Sequence, residues 1–231
     1  MRFKRKGKLP TEVTHADRLL NTQRMKTFLI ACILSLLLVS CSSNTTTGSQ
    51  PAPKPVPKQA EYETGREAFQ KMYLSAHSWA GDTQPFRLQS QYSPGAPVDE
   101  GKAGLWRASF ASPAKRMMKM FMWSGLVGPD APEQGISFSA EDAWSPTNTS
   151  TRIFEADFVK IDSDKAFDVA QKNGGSKVMK ANPQQSVFFI LDWDASKNQL
   201  LWHVVYGEDL DKAKLRIAVN ASTGLFERVE R

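Results

Sequence analysis

Leu201-Trp202-His203-Val204-Val205 is the stretch that decides how this chain is read. Its aromatic and β-branched residues suit a pleated strand, predicted over 200–206. Side chains alternate along a strand, so Trp202 and Val204 share one face and His203 takes the other. The same word occurs earlier as Leu105-Trp106-Arg107, in a strand predicted over 105–111. Upstream of each lies an Ala-Phe pair in a helical pattern, Ala68-Phe69 and Ala166-Phe167. Phe69 and Trp106 are 37 positions apart, and Phe167 and Trp202 are 35 apart. A pattern that returns at nearly constant spacing about a hundred residues on is the mark of an internal repeat.

The first copy begins at Thr64-Gly-Arg-Glu67, a capping-box spacing in which the Thr and Glu side chains each satisfy a free N–H at a helix start. Ala68, Phe69, Met72, Tyr73, Ala76, Trp79 and Ala80 then recur at helical intervals, and Gly81 is the expected stop. Strands are predicted over 85–92, 105–111 and 115–123. In the second copy Asp162-Ser163-Asp164 caps a helix that turns Ala166, Phe167 and Ala170 inward and breaks at Gly174-Gly175. Strands follow over 187–193, 200–206 and 214–221, and Ser222-Thr223-Gly224 turns the chain. The expected fold class is α+β, two tandem helix-plus-antiparallel-sheet units spanning 62–154 and 155–231.

The second unit resembles a PepSY domain. The resemblance rests on Ile161-Asp162 ahead of Ala166-Phe167, on Leu201-Trp202-His203-Val204-Val205, and on Val219-Asn220-Ala221-Ser222-Thr223-Gly224, with Asn220 where Asp is usual. It covers about 70 residues of the chain, and the first unit shares it only through the repeat. It implies a cystatin-like antiparallel sheet wrapped on a helix, and an envelope role in binding or restraining other proteins, peptidases among them. It implies no catalytic residues.

The N-terminal part carries an address. Residues 27–40 are nearly all apolar, follow Arg24 and Lys26, and are too short for a comfortable bilayer span of roughly 20 residues. Leu38-Val39-Ser40-Cys41 resembles the lipobox of bacterial lipoproteins, which implies cleavage before Cys41 and lipidation of its sulfur. In a cell with two membranes, Ser42 stands where an aspartate would favour inner-membrane retention, so the periplasmic face of the outer membrane is the expected location. Residues 41–61 then form a tether, with Pro51, Pro53, Pro55 and Pro57 favouring an extended, semi-rigid conformer.

Removal of 1–40 changes the charge. Of 30 Lys and Arg, eight precede the cut, with two of the 24 acids, so the mature chain is balanced. Balance argues against nucleic acid, which requires clustered positive charge. The two cysteines are Cys32, which leaves with the signal, and Cys41. No disulfide within the mature chain is therefore expected, and the core alone must hold the fold.

The chemical inventory is thin. His77 and His203 stand in no zinc-type spacing, and no nucleophile elbow, phosphate loop or dinucleotide fingerprint occurs. We therefore expect no enzyme activity and no cofactor. Asp192, Asp194, Glu208, Asp209 and Asp211 are expected as solvated carboxylates beside hairpin turns. Met118, Met120 and Met122 share one strand face. They are expected to pack against a helix as adaptable core filler, with monovalent copper as the alternative for soft thioethers. The sheet face away from the helices should carry Arg107, Ser109, His203, Lys214 and Arg216, a candidate surface for an extended peptide or protein loop. The rival classes are an envelope copper-binding protein and a hydrolase with a site assembled from scattered residues.

Overall fold

A computed structural model describes residues 58–93 and 95–230. The expected signal, Cys41 and most of the expected tether lie outside the described residues. The described residues fall within one compact unit.

Helix α1 (Gly65–Trp79) starts with the predicted box. The Glu67 N–H donates to Thr64 Oγ1, and the Thr64 N–H donates to Glu67 Oε2. Gly65, Ala68, Phe69, Met72 and Ala76 are buried along one face, and the helix ends one residue before the expected stop, at an extended Ala80. Strand β1 (Glu63–Thr64) pairs with β3 (Lys102–Ala103) in a two-stranded patch. The main sheet receives β2 (Gln84–Ser90), β4 (Leu105–Ser112), β5 (Met117–Ser124) and β6 (Gly135–Ala143). Helix α2 (Ser163–Ala170) leads through a wide turn at Gln171–Gly175 into α3 (Ser176–Ala181). Gly174, at φ 120°, supplies the break there. The sheet is completed by β7 (Val187–Asp194), β8 (Gln199–Tyr206), β9 (Leu215–Asn220) and β10 (Phe226–Glu230).

These strands make one antiparallel eight-stranded sheet in the order β10-β9-β8-β7-β2-β4-β5-β6. The strands after α1 and the strands after α2 each keep sequential order, and the two sets join where β2 pairs with β7, Arg87 opposite Asp192 and Gln89 opposite Ile190. Strands β6 and β10 were absent from the sequence expectation. Both are edges, and β6 is largely exposed.

The main core lies between the sheet and the helices. Ala68, Phe69, Met72, Ala166, Phe167 and Ala170 meet sheet residues that include Trp106, Phe110, Phe121, Phe189, Trp202 and Tyr206. Aromatic rings continue across it: Phe110 meets Phe121 edge to face at 5.7 Å, and Phe167 stacks on Tyr206 at 6.4 Å. At roughly 1.5–3 kcal/mol for each large apolar side chain buried, this layer is the main stabilising term. Among the described residues, the opposite face has two small apolar clusters. Phe86, Ala111 and Trp144 form one, and Phe188, Ile190 and Val205 the other.

One expectation is corrected. The β5 residues that pack against α1 are Phe121 and Trp123, and Met118, Met120 and Met122 point the other way, opposite Ala111, Ser109 and Arg107 of β4. Aromatic rings bury more area than thioethers, so the aromatic side of this strand takes the helix.

Candidate functional site: the open face of the sheet

Because α1 and α2 sit on the Trp106 and Trp202 side, alternation delivers Arg107, Ser109, His203 and Arg216 to the uncovered side, as expected. Lys214 is exposed and precedes β9, its N–H donating to the Tyr206 carbonyl. The register lines several of these up. From β10 inward one row runs Arg228, Ala218, His203 and Ile190. It continues through Gln89 into Arg107, Met122 and Ser137.

The β7–β10 half of this face is an ion network. His203 Nδ1 lies 2.8 Å from Glu230 Oε2, and its Nε2 lies 3.1 Å from Asp192 Oδ1. Arg87 donates to Asp192 at 3.0 Å, and Arg228 reaches both Asp194 at 2.9 Å and Glu230 at 2.7 Å. The small Ala218 stands between Arg228 and His203 in the row. Arg216 faces Glu230 in the register. The His203 side chain is only 14% exposed. Burial pulls its pKa down, but hydrogen bonds to Asp192 and Glu230, and their charges, outweigh burial and raise it to about 9. His203 is thus an imidazolium at neutral pH. Burial would push the Glu230 carboxyl up, yet His203 and Arg228 hold it below its ordinary value.

This corrects the view of Asp192 and Asp194 as solvated turn carboxylates. Both are partly enclosed and fix cations, with Asp194 also accepting from Ser196 and the Lys197 N–H in the β7–β8 turn. Glu230, the partner that completes the clamp, was missed because it sits on the unexpected β10. The only sequence signal for it was the alternation of Arg228 and Glu230 around Val229.

The β2–β6 half differs in character. Met118 and Met122 are partly exposed there and Met120 is 36% exposed. Beside them, Phe86, Ser109, Met118, Met120 and Ser139 line a shallow pocket. Arg107 makes no hydrogen bond or ion pair with any described residue, and its Nε is enclosed without an acceptor. Among the described residues, no group of three or more His, Cys, Asp or Glu side chains is placed to hold a metal ion. His77 is exposed on α1, its ring edge-on to Tyr73 at 4.5 Å.

No protein-family model matches the chain, and no curated protein matches it. A crystal structure of a putative lipoprotein from Clostridium difficile 630 is similar at a TM-score of 0.45, with 12% sequence identity, over 71% of this chain and 91% of that one. A likeness that distant says nothing about chemistry.

Proposed function

We propose that this protein is a lipid-anchored component of a bacterial cell envelope, and that it binds an extended peptide or protein loop on the open face of its sheet without catalysing a reaction. The observation that carries the reading is the one-sidedness of the sheet. Helices α1, α2 and α3 cover one face, while the other presents a prearranged ion network beside an adaptable thioether surface. Methionine suits recognition surfaces because its side chain repacks around different partners. The network suits them because its charges are already held in place, so little side-chain freedom remains to be lost on binding.

The architecture is read as a tandem duplication of PepSY-like units. What supports it is the matched order of helix and four strands on either side of the β2–β7 junction, and the matched indole contacts of Trp106 and Trp202. The anchor rests on the sequence around Cys41. In a two-membrane cell the expected address is the periplasmic face of the outer membrane, and a peptidase is one partner class to test.

Two experiments test this. Cys41→Ser should abolish palmitate labelling and detergent-phase partitioning, because serine offers no thiol to alkylate; unchanged labelling would remove the anchor from the model. A photo-crosslinking residue at Ser109, compared with one at His77 on the helix side, should capture a distinct partner in envelope extract. Identical products from the two positions would remove the open face.

A second reading has one specific observation behind it, the shared and partly exposed face of Met118, Met120 and Met122. Thioethers that share a strand face are soft ligands of the kind that suits monovalent copper. A Cu(I) titration with a competing chelator decides it: stoichiometric binding that is lost in a triple Met→Leu variant would favour copper over peptide.

A further inference from the structure

Arginine is the residue that sets the two halves of the open face apart. Arg87 pairs with Asp192, Arg228 with Asp194 and Glu230, and His203 with Asp192 and Glu230. Each of these cations has a counter-ion, with Asp192 and Glu230 shared through His203. Arg107 has none among the described residues, although its Nε is shut off from solvent. Its register neighbours are Gln89 and Met122, and the Gln89 amide oxygen is directed to Arg87 Nε at 3.4 Å. The β2–β6 half offers a carboxylate on this face at Asp142, opposite Met118. That is four positions along β5 from Met122, about 13 Å away at strand rise.

An enclosed guanidinium N–H without an acceptor is costly, of the order of a lost hydrogen bond, and is strongly relieved by a carboxylate that takes two parallel N–H donors. Met122 and Gln89 are long and unbranched, so they can move aside for such an acceptor. One residue pair along β4, Ser109 borders the shallow pocket of Phe86, Met118 and Met120. The separation of the Arg107 and Ser109 rows, about 7 Å, is the separation of alternate side chains on an extended chain.

We propose that Arg107 anchors a carboxylate side chain of the partner, and that the bound segment is extended, with an apolar residue two positions from the acidic one seated among Phe86, Met118 and Met120. This rests on the open-face reading and names the chemistry of its occupant. Residues 42–57 of the chain's own tether do not supply it, since they contain no Asp or Glu.

The test is panning of a phage-displayed random peptide library on the full chain in detergent, alongside Arg107→Gln, Arg107→Lys and Ser109→Trp variants. The expected result is enrichment of peptides with an acidic residue two positions from an apolar one. Their affinity should fall about tenfold in Arg107→Gln, the size of one charge-assisted hydrogen bond, and recover in part in Arg107→Lys. The melting temperature of Arg107→Gln should stay close to wild type, because no hydrogen bond or ion pair of the guanidinium with a described residue is lost. Peptides that enrich without an acidic position, yet are displaced by Ser109→Trp, would overturn the Arg107 assignment and leave the open face standing. Peptides indifferent to Ser109→Trp, or no enrichment at all, would overturn both.

Discussion

Trp106 and Trp202 meet edge to face in the centre of the protein, ring centroids 6.4 Å apart, and each does the same local task. Trp106 Nε1 donates to the Glu63 carbonyl and Trp202 Nε1 to the Ile161 carbonyl, both at 2.9 Å. Glu63 and Ile161 are the residues immediately before the N-caps of α1 and α2. Each indole therefore fixes where a helix begins above the strand that carries it. The two strands meet through their rings and not through their backbones, because β2 and β7 lie between β4 and β8.

Removing one indole should loosen both halves. Trp202→Ala is expected to destabilise by about 3–5 kcal/mol in urea unfolding, from lost burial and the cavity left behind. It also leaves the Ile161 carbonyl without its donor. Adding atoms at the same place should cost as well. A Cβ on the buried Gly65 would stand 2.5 Å from Trp202 Cη2, so Gly65→Ala is expected to cost about 1–3 kcal/mol. A loss under about 0.5 kcal/mol for either variant would mean that the indole is not locked between the helices and the sheet.

Asp162 ties the two helix starts together. Its Oδ1 accepts from the Ser163 N–H at 2.6 Å and from the Arg66 N–H at 2.9 Å, and its Oδ2 accepts from Thr64 Oγ1 at 2.7 Å. Ser163 Oγ accepts from the Gly65 N–H and donates to the Gly101 carbonyl. An ordinary cap contributes about 1 kcal/mol. Asp162→Ala strips an acceptor from both helices and should cost about 2 kcal/mol, read as a shift in the unfolding midpoint at unchanged slope. Asp162→Asn keeps one oxygen and should recover about half. A loss in Asp162→Ala no larger than that of Asn148→Ala, a single local cap on a surface turn, would contradict the double role.

Helix starts, the inner strands and the identity of the uncovered residues were all legible, because each rests on local chemistry or strict alternation. Thr64 and Glu67, Asp162, and the Trp202/His203 alternation are of this kind. Two things were not legible. The edge strands β6 and β10 bury one side weakly, so Ile136 and Phe138, or Phe226 and Val229, give too faint a periodic signal. Period also says which residues share a face but not which face receives the helix, so the methionines of β5 were set on the wrong side of the sheet. The His203 clamp follows from the first failure: Asp192 is on an expected strand, whereas Glu230 enters from β10.

The clamp makes a pH prediction whose sign follows from the direction of the shift. His203 faces Asp192 from β7 and Glu230 from β10, with Arg87, Arg216 and Arg228 around the same opening. Its pKa is about 9 in the folded protein against 6.5 for the unperturbed side chain. Below pH 6.5 the ring is protonated in both folded and unfolded chains, and its contribution is complete. As pH rises from 6.5 through 9 the unfolded chain releases the proton first, and the contribution is lost. The difference corresponds to about 3 kcal/mol. Unfolding free energy should therefore decline between pH 6.5 and 10 by that order, and the decline should be absent in His203→Gln. On the acid side the sign reverses. Glu230 has a lowered pKa, so its contribution is present above its unfolded value of about 4.5 and fades as pH falls through the folded one. Ring resonances of His203, followed by NMR from pH 6 to 10, report the same proton directly. A midpoint below 7 would show that Asp192 and Glu230 do not hold the imidazolium, and with it the ion network of the open face would lose its centre.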